Sequence, residues 1–372
     1  MKEIKFSKHN ISATDISLLN KSIKSGWLTH GKYAHEFEKE LCKFTKAKYA
    51  VLVSSCTAGI HISCIAAGFK KGDEVIVPAM THTATAHAVE YTGARAVFCD
   101  VNKVTGNIDP MDLKKKLTRK TKGVIVVHLT GYPCNLNEIK KIVNKKKITL
   151  IEDCAHSLGT KYKTKHVGNF GVSGCFSFYP TKQITTGEGG AVVTNDKSFY
   201  KKIKMLKAFG IDKDISERKK QGEYDVKDLG FNYRLTDFQA LLGFRQIKKY
   251  NKNLEIKKKL SKIYIGCFSK NKKIVFPNFK FDNSFFIFPI LVANRDKLLK
   301  FLKNKKIGVS VHYNKILPLM KYYKKKYKLN KNSFPNAYSY SQKNISLPIY
   351  PKLKKNEILR MCKLINNFLN KS

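Results

Sequence analysis

Apolar residues recur along this chain in two rhythms. Short unbroken runs lie at 49–53, 74–77, 95–99, 123–128, 148–151, 175–179 and 191–194. Runs of this length without alternation predict strands buried on both faces. Between them the apolar residues fall at helical spacing. One helix is predicted from the turn after 53 to Gly68, a left-handed stop. Another covers 113–117, with its lysines in water. Strands alternating with helices predict an α/β fold with a mostly parallel sheet covered by helices on both faces.

The flanks differ. Ser12-Ala13-Thr14-Asp15 has the form of a capping box, and Ile16, Leu19 and Ile23 follow on one helical stripe until Ser25-Gly26. Phe37, Leu41 and Phe44 mark a second helix. A third starts at Asp237 and runs to about Tyr250. Beyond 251 the chain is rich in lysine and poor in glycine, with an apolar strand at 284–293 and a helix ending within 301–307. At 372 residues the chain exceeds the size at which one core keeps growing. We therefore expect two domains: 1–250, a large domain with an N-terminal arm, and 251–372, a smaller C-terminal α+β domain. The stretch 216–227 is polar and unpatterned and reads as a mobile loop.

Net charge is +45, from 72 basic against 27 acidic residues. Only seven of the basic residues are arginine, and the lysines are spread throughout. A nucleic-acid binder concentrates its basic residues on one face, often with arginine at base-reading positions. Scattered lysine reads instead as a solvated coat, so no nucleic-acid partner is expected. The charge would still speed encounter with an anionic substrate. Nine cysteines, an odd number with no C-x-x-C pair, argue against a disulfide framework or a zinc module. His82 and His87, five apart, are poorly spaced for a metal, and no metal is expected. No apolar run is long enough to span a membrane, and residues 1–10 hold no signal-peptide core. The expectation is a cytoplasmic protein.

The candidate chemistry sits where strands end. The run at 148–151 leads into Glu152-Asp153, and the run at 175–179 leads into Pro180-Thr181-Lys182. Ligands of open α/β sheets bind at the carboxyl ends of strands. A carboxylate and an amine there suit pyridoxal phosphate, since the lysine can form a Schiff base and the acid can keep the ring nitrogen protonated. A structural ion pair accounts for the same spacing. Ser54-Ser55-Cys56-Thr57-Ala58, between a strand and a helix, offers hydroxyls and free N–H groups to an anion, or an ordinary N-cap at Ser55 or Thr57.

EDCAHSLG, FSFYPTK and TTGEGGAVVTND, in that order within 152–196, resemble the DegT/DnrJ/StrS family of sugar aminotransferases. These are fold type I enzymes that use pyridoxal 5′-phosphate to aminate nucleotide-linked keto-sugars. The resemblance extends over nearly the whole chain. It implies that Lys182 binds the cofactor and shuttles the proton, and that Asp153 faces the pyridine nitrogen. His156 would lie near the ring hydroxyl, with Thr57, Ala58 and Ser177 at the phosphate. His82 stands where the family has a ring-stacking aromatic residue, and Cys56 where many members have glycine. Asn232, in DLGFNYRLTD, would reach the cofactor phosphate of a neighbouring subunit, making a homodimer with shared active sites. Trp27 and Thr29 of SGWLTHG, with the pair His312-Tyr313, would line the sugar site. Arg234 suits the donor carboxylate or the substrate diphosphate by charge. The expected donor is L-glutamate, and the expected acceptor is C4 of a nucleoside-diphosphate 4-keto-6-deoxyhexose. A C3 keto-sugar, a keto-inositol and a non-catalytic regulator are the alternatives. Lys182 argues against the related dehydratases, which carry histidine there.

Overall fold

The computed structural model describes residues 3–29, 31–213, 220 and 222–371. Two helices open the chain, α1 (Ala13–Lys24) and α2 (Lys32–Thr45). The Ser12 capping box forms as expected: Asp15 accepts from the Ser12 amide, and Ser12 Oγ accepts from the Asp15 amide. The face of α1 does not follow its apolar stripe. Ile16 and Ile23 are 53% and 47% exposed, while Asp15 is 2% exposed. Asp15 turns inward because Arg245 and Lys249 both reach it at 3.0 Å. That pairing outcompetes the modest gain from burying two isoleucines.

The strands and helices then alternate: β1 (Tyr49–Val53), α3 (Cys56–Ala66), β2 (Glu74–Pro78), α4 (Thr83–Glu90), β3 (Arg95–Cys99), α5 (Pro110–Lys116), β4 (Thr121–Val127), α6 (Leu136–Lys145) and β5 (Thr149–Asp153). A two-residue hairpin, β6 (Lys161–Tyr162) and β7 (Lys165–His166), precedes β8 (Ser173–Ser177), β9 (Gly190–Thr194) and α7 (Lys197–Leu206). The seven-stranded sheet runs β1-β9-β8-β5-β4-β2-β3. β9 is antiparallel to both neighbours, and every other pairing is parallel. Alternate residues feed opposite cores, as strand geometry requires. Val51, Val53, Val75, Val77, Ile125 and Ile151 pack on one face. Leu52, Ile76, Val124, Val126 and Leu150 pack on the other.

One helix, α8 (Asp237–Phe268), runs straight through the position read as a domain boundary. Its first half, to Leu254, joins the sheet's second core, and Leu260, Tyr264 and Phe268 belong to a third core. That third core gathers β10 (Phe288–Leu291), α9 (Arg295–Asn304), α10 (Lys321–Tyr327), α11 (Pro335–Lys343), β11 (Asn344–Leu347) and α12 (Lys355–Lys371) only in part, since α10 and α11 pack on the large sheet's first core. We propose that the division near 250 falls within this shared helix. The strand expected over 284–293 is shorter, because Ser284 donates its N–H to Thr160 Oγ1 and Phe285 takes a φ of +46°. Part of the loop read at 216–227, namely 216–219 and 221, lies outside the described residues.

Candidate active site

Asp153 and Lys182 meet at one cavity of about 430 Å³, at the carboxyl ends of β5 and β8. Asp153 is 3% exposed. Burial would be costly for an unpaired carboxylate, and three groups hold it. Thr85 Oγ1 donates at 2.8 Å, the Ala155 amide at 3.0 Å, and the Cys56 thiol lies 3.9 Å away. The preceding residue, Glu152, points to the other face. It accepts from the amides of Gly168, Phe170 and Gly171 and contacts His128 Nε2 at 3.1 Å, so its work is to fix the loop before β8.

Lys182 follows β8 on a turn closed by its own amide, which donates to the Tyr179 carbonyl. The loop is clamped from α8, where Gln246 exchanges two hydrogen bonds with the Thr185 backbone. Gln183 ties it to the His156 carbonyl and to Ser284 Oγ. The Lys182 ammonium lies 4.6 Å from the centre of the Phe286 ring, and that ring stacks on His156 at 4.2 Å. Burial pushes the amine down to about 8, against the opposing pull of Cys56 and Asp153. A lysine so placed holds a sizeable neutral fraction near neutral pH, as a nucleophile requires.

The third wall is the start of α3. Ser55 is its N-cap, accepting from the Ala58 amide at 3.0 Å. Thr57 and Cys56 line the cavity, and the first-turn N–H groups of a helix lie outside its hydrogen-bond ladder. Ala58 lies behind this wall, buried, with its N–H already given to Ser55. Ser177, at the end of β8, lines the same space. β9 approaches this turn closely: a Cβ on Gly190 would sit 2.5 Å from the Cys56 nitrogen. An amine, a buried carboxylate, two hydroxyls and a helix N-terminus around one cavity are the donor set that pyridoxal phosphate needs, and the residues fit it.

His82, His156, His312 and Tyr313 also line the cavity. His82 caps α4 and packs at a tilt on Tyr313, 5.8 Å between ring centres. His156 is 3% exposed, and burial followed by the charge of Lys182 keeps it neutral. Burial likewise takes His312 down to about 3, where its Nδ1 lies 2.7 Å from Ser346 Oγ. The structure does not bring every expected residue here. Trp27, Thr29 and Arg234 line a separate cavity of about 270 Å³, and His30 of the same motif lies outside the described residues. Asn232 is exposed and accepts from Arg234 Nε at 3.1 Å. Thr85, Phe286 and Gln246 were not foreseen as site residues. Phe286 and Gln246 are remote in sequence from Lys182, and nothing local marks them. Thr85, one turn beyond Thr81, carried the only signal, a hydroxyl on the inner face of a short helix.

The chain matches the DegT/DnrJ/EryC1/StrS aminotransferase family over residues 9–366. It is 32% identical to the GDP-perosamine synthase of Escherichia coli O157:H7, over 99% of both chains. It is 35% identical to the UDP-4-amino-4,6-dideoxy-N-acetyl-beta-L-altrosamine transaminase of Campylobacter jejuni, covering 94% of this chain and 93% of that one. Among solved structures, Spr1654 of Streptococcus pneumoniae in its PLP form superposes with a TM-score of 0.93 at 28% identity, over 100% of this chain and 99% of that one.

Proposed function

The chain belongs to the DegT/DnrJ/EryC1/StrS aminotransferase family, and from that membership we propose that it moves an amino group from L-glutamate to C4 of a nucleotide-linked 4-keto-6-deoxyhexose. It is a sugar aminotransferase that uses pyridoxal 5′-phosphate. The observation that carries the reading is the meeting of Lys182, Asp153 and the start of α3 around one cavity. The cofactor, when bound, supplies the electron sink. The chain supplies the rest. Lys182 Nζ is the covalent anchor, and once free it takes the proton from the donor α-carbon as general base. Asp153 holds a proton at the ring nitrogen. Ser177, Thr57 and the N–H groups opening α3 hold the phosphate. His156, buried and neutral, would donate to or accept from the ring hydroxyl. Phe286 and Tyr313 keep water from the Lys182 amine.

The C4 assignment draws support from the Campylobacter relative, whose name carries a 4-amino-4,6-dideoxy sugar. The placement of Trp27, Thr29, Asn232 and Arg234 away from Lys182 supports a homodimer in which each copy completes the other's sugar site. The test is a panel of 4-keto and 3-keto nucleotide sugars offered with glutamate. Turnover of the 4-keto members with ping-pong kinetics is expected. Turnover confined to 3-keto sugars would reverse the regiochemistry.

A further inference from the structure

A second, smaller cavity lies on the far side of Lys182 from α3. It has room for about 40 Å³, on the order of three waters or one small oxyanion. It shares Thr181, Lys182 and Phe286 with the larger cavity, so the two are neighbours across the lysine loop. Its walls come from the N-terminal arm, the lysine loop, α8 and the segment before α12.

Lys257 of α8 lines it and is 5% exposed. Among the described residues no hydrogen bond or ion pair reaches its ammonium. An unpaired charge at that depth is costly. The remaining lining makes the cost harder to explain as packing. Among the described residues Lys8, His9 and Lys182 are there and no carboxylate is, and Asn10 and Asn253 bind each other at 3.1 Å. Burial takes the Lys257 amine down to about 7. A buried amine without a partner, facing a polar space that holds no acid among the described residues, forms a site that is short of one negative charge.

We propose that this cavity is an oxyanion site in which Lys257, with Lys8 at the rim, receives a phosphate group. The phosphate belongs either to the nucleotide-linked substrate, which rests on the function proposed above, or to the free anion. A phosphate there would satisfy Lys257 and hold the substrate's charged end one loop away from the reacting amine.

The experiment uses cofactor-saturated enzyme, so that the cofactor's own phosphate site is filled. Thermal melting is followed with and without millimolar inorganic phosphate, using sodium chloride at equal ionic strength as control. The wild type should melt several degrees higher with phosphate. Lys257→Met should melt at least as high as wild type in chloride, since a buried unpaired charge is gone, and should lose the response to phosphate. An equal response in both proteins, or none in the wild type, overturns the proposal whatever the enzyme's substrate proves to be. In turnover assays Lys257→Met should raise the KM for the sugar nucleotide about tenfold with kcat within twofold and the KM for glutamate unchanged. Phosphate that competes with the sugar nucleotide assigns the site to the substrate. Phosphate that stabilises without competing assigns it to the free anion.

Discussion

Thr85 Oγ1 donates to Asp153 Oδ2 at 2.8 Å, and Thr81 Oγ1 lies 2.8 Å from Thr85 Oγ1. With the Thr85 proton committed to the carboxylate, Thr81 must be the donor of the second bond. The pair forms a short relay that orients the acid we propose faces the cofactor ring. A hydrogen bond to a charged group contributes about 1.5–3 kcal/mol. Thr85→Val should therefore lower kcat by roughly tenfold to a hundredfold. Thr85→Ser should restore most of it. Steady-state kinetics on the two variants check this, and a normal kcat for Thr85→Val would remove Thr85 from the site.

As the proposed anchor, Lys182 should set the pH dependence of cofactor attachment. Its folded value of about 8 is below the ordinary lysine value of about 10.4. In cofactor-free protein the amine is half neutral near pH 8. The second-order rate of cofactor binding should rise about tenfold per unit below that pH and level off above it. The stability term has the matching sign. Burying the charge opposes folding at pH below 8, and the opposition is relieved as pH rises from 8 towards 10.4. A rate that keeps climbing to pH 10 would show that the amine is solvated. Lys182→Ala should abolish transamination and leave cofactor bound without a covalent link, read as loss of borohydride trapping.

The strands were legible because burial on both faces leaves few polar residues within a run, and that pattern survives in one dimension. All seven runs became strands of one sheet, with bounds shifted by a residue or two. Asp153 and Lys182 were legible for a similar reason, as charged residues ending apolar runs. The environment of the lysine was not. Phe286 and Gln246 come from segments folded against the loop, and no spacing near Lys182 encodes them. The outward turn of α1 was hidden too. Its sequence shows an apolar stripe, and only Arg245 and Lys249 on α8 make Asp15 the inner residue. The single helix across 250 was missed because a composition change there marks a change of partner, not a break in the helix.

Gly190 tests the phosphate end of the cavity without touching any charged group. Its Cα faces the Ser55–Cys56 peptide, and an added Cβ would lie 2.5 Å from the Cys56 nitrogen. That distance is too short for any real contact, and backbone on both sides cannot swing away. Gly190→Ala should push the start of α3 outwards, tilting the N–H groups that we propose meet the cofactor phosphate. We expect cofactor affinity to fall at least tenfold, measured by titration of visible absorbance, while far-ultraviolet circular dichroism stays close to wild type. Unchanged affinity would place the phosphate elsewhere.

Glu152 tests stability in isolation from chemistry, although it adjoins Asp153. It is fully buried, and His128 and the amides of Gly168, Phe170 and Gly171 all address its two oxygens. Burial alone would raise its carboxyl, but the His128 and backbone hydrogen bonds outweigh burial and hold it below the ordinary glutamate value. A lowered folded value means that the stabilisation is complete above the ordinary value of about 4.3 and is lost as pH falls through the folded value. Glu152→Gln keeps the shape but turns an N–H donor towards at least one of the groups that now donate. Leaving buried donors unmet costs about 1–3 kcal/mol each, so the variant should lose roughly 2–5 kcal/mol at pH 7. The loss should shrink as pH drops below about 4.3, where the unfolded wild-type chain begins to take up the proton, and should vanish below the lower folded value. Urea unfolding of both proteins between pH 3 and 7 would show the two stability curves converging at the acid end. Parallel curves across that range would mean that the Glu152 carboxyl binds its proton equally well folded and unfolded, and that the loop before β8 is held by shape rather than by charge.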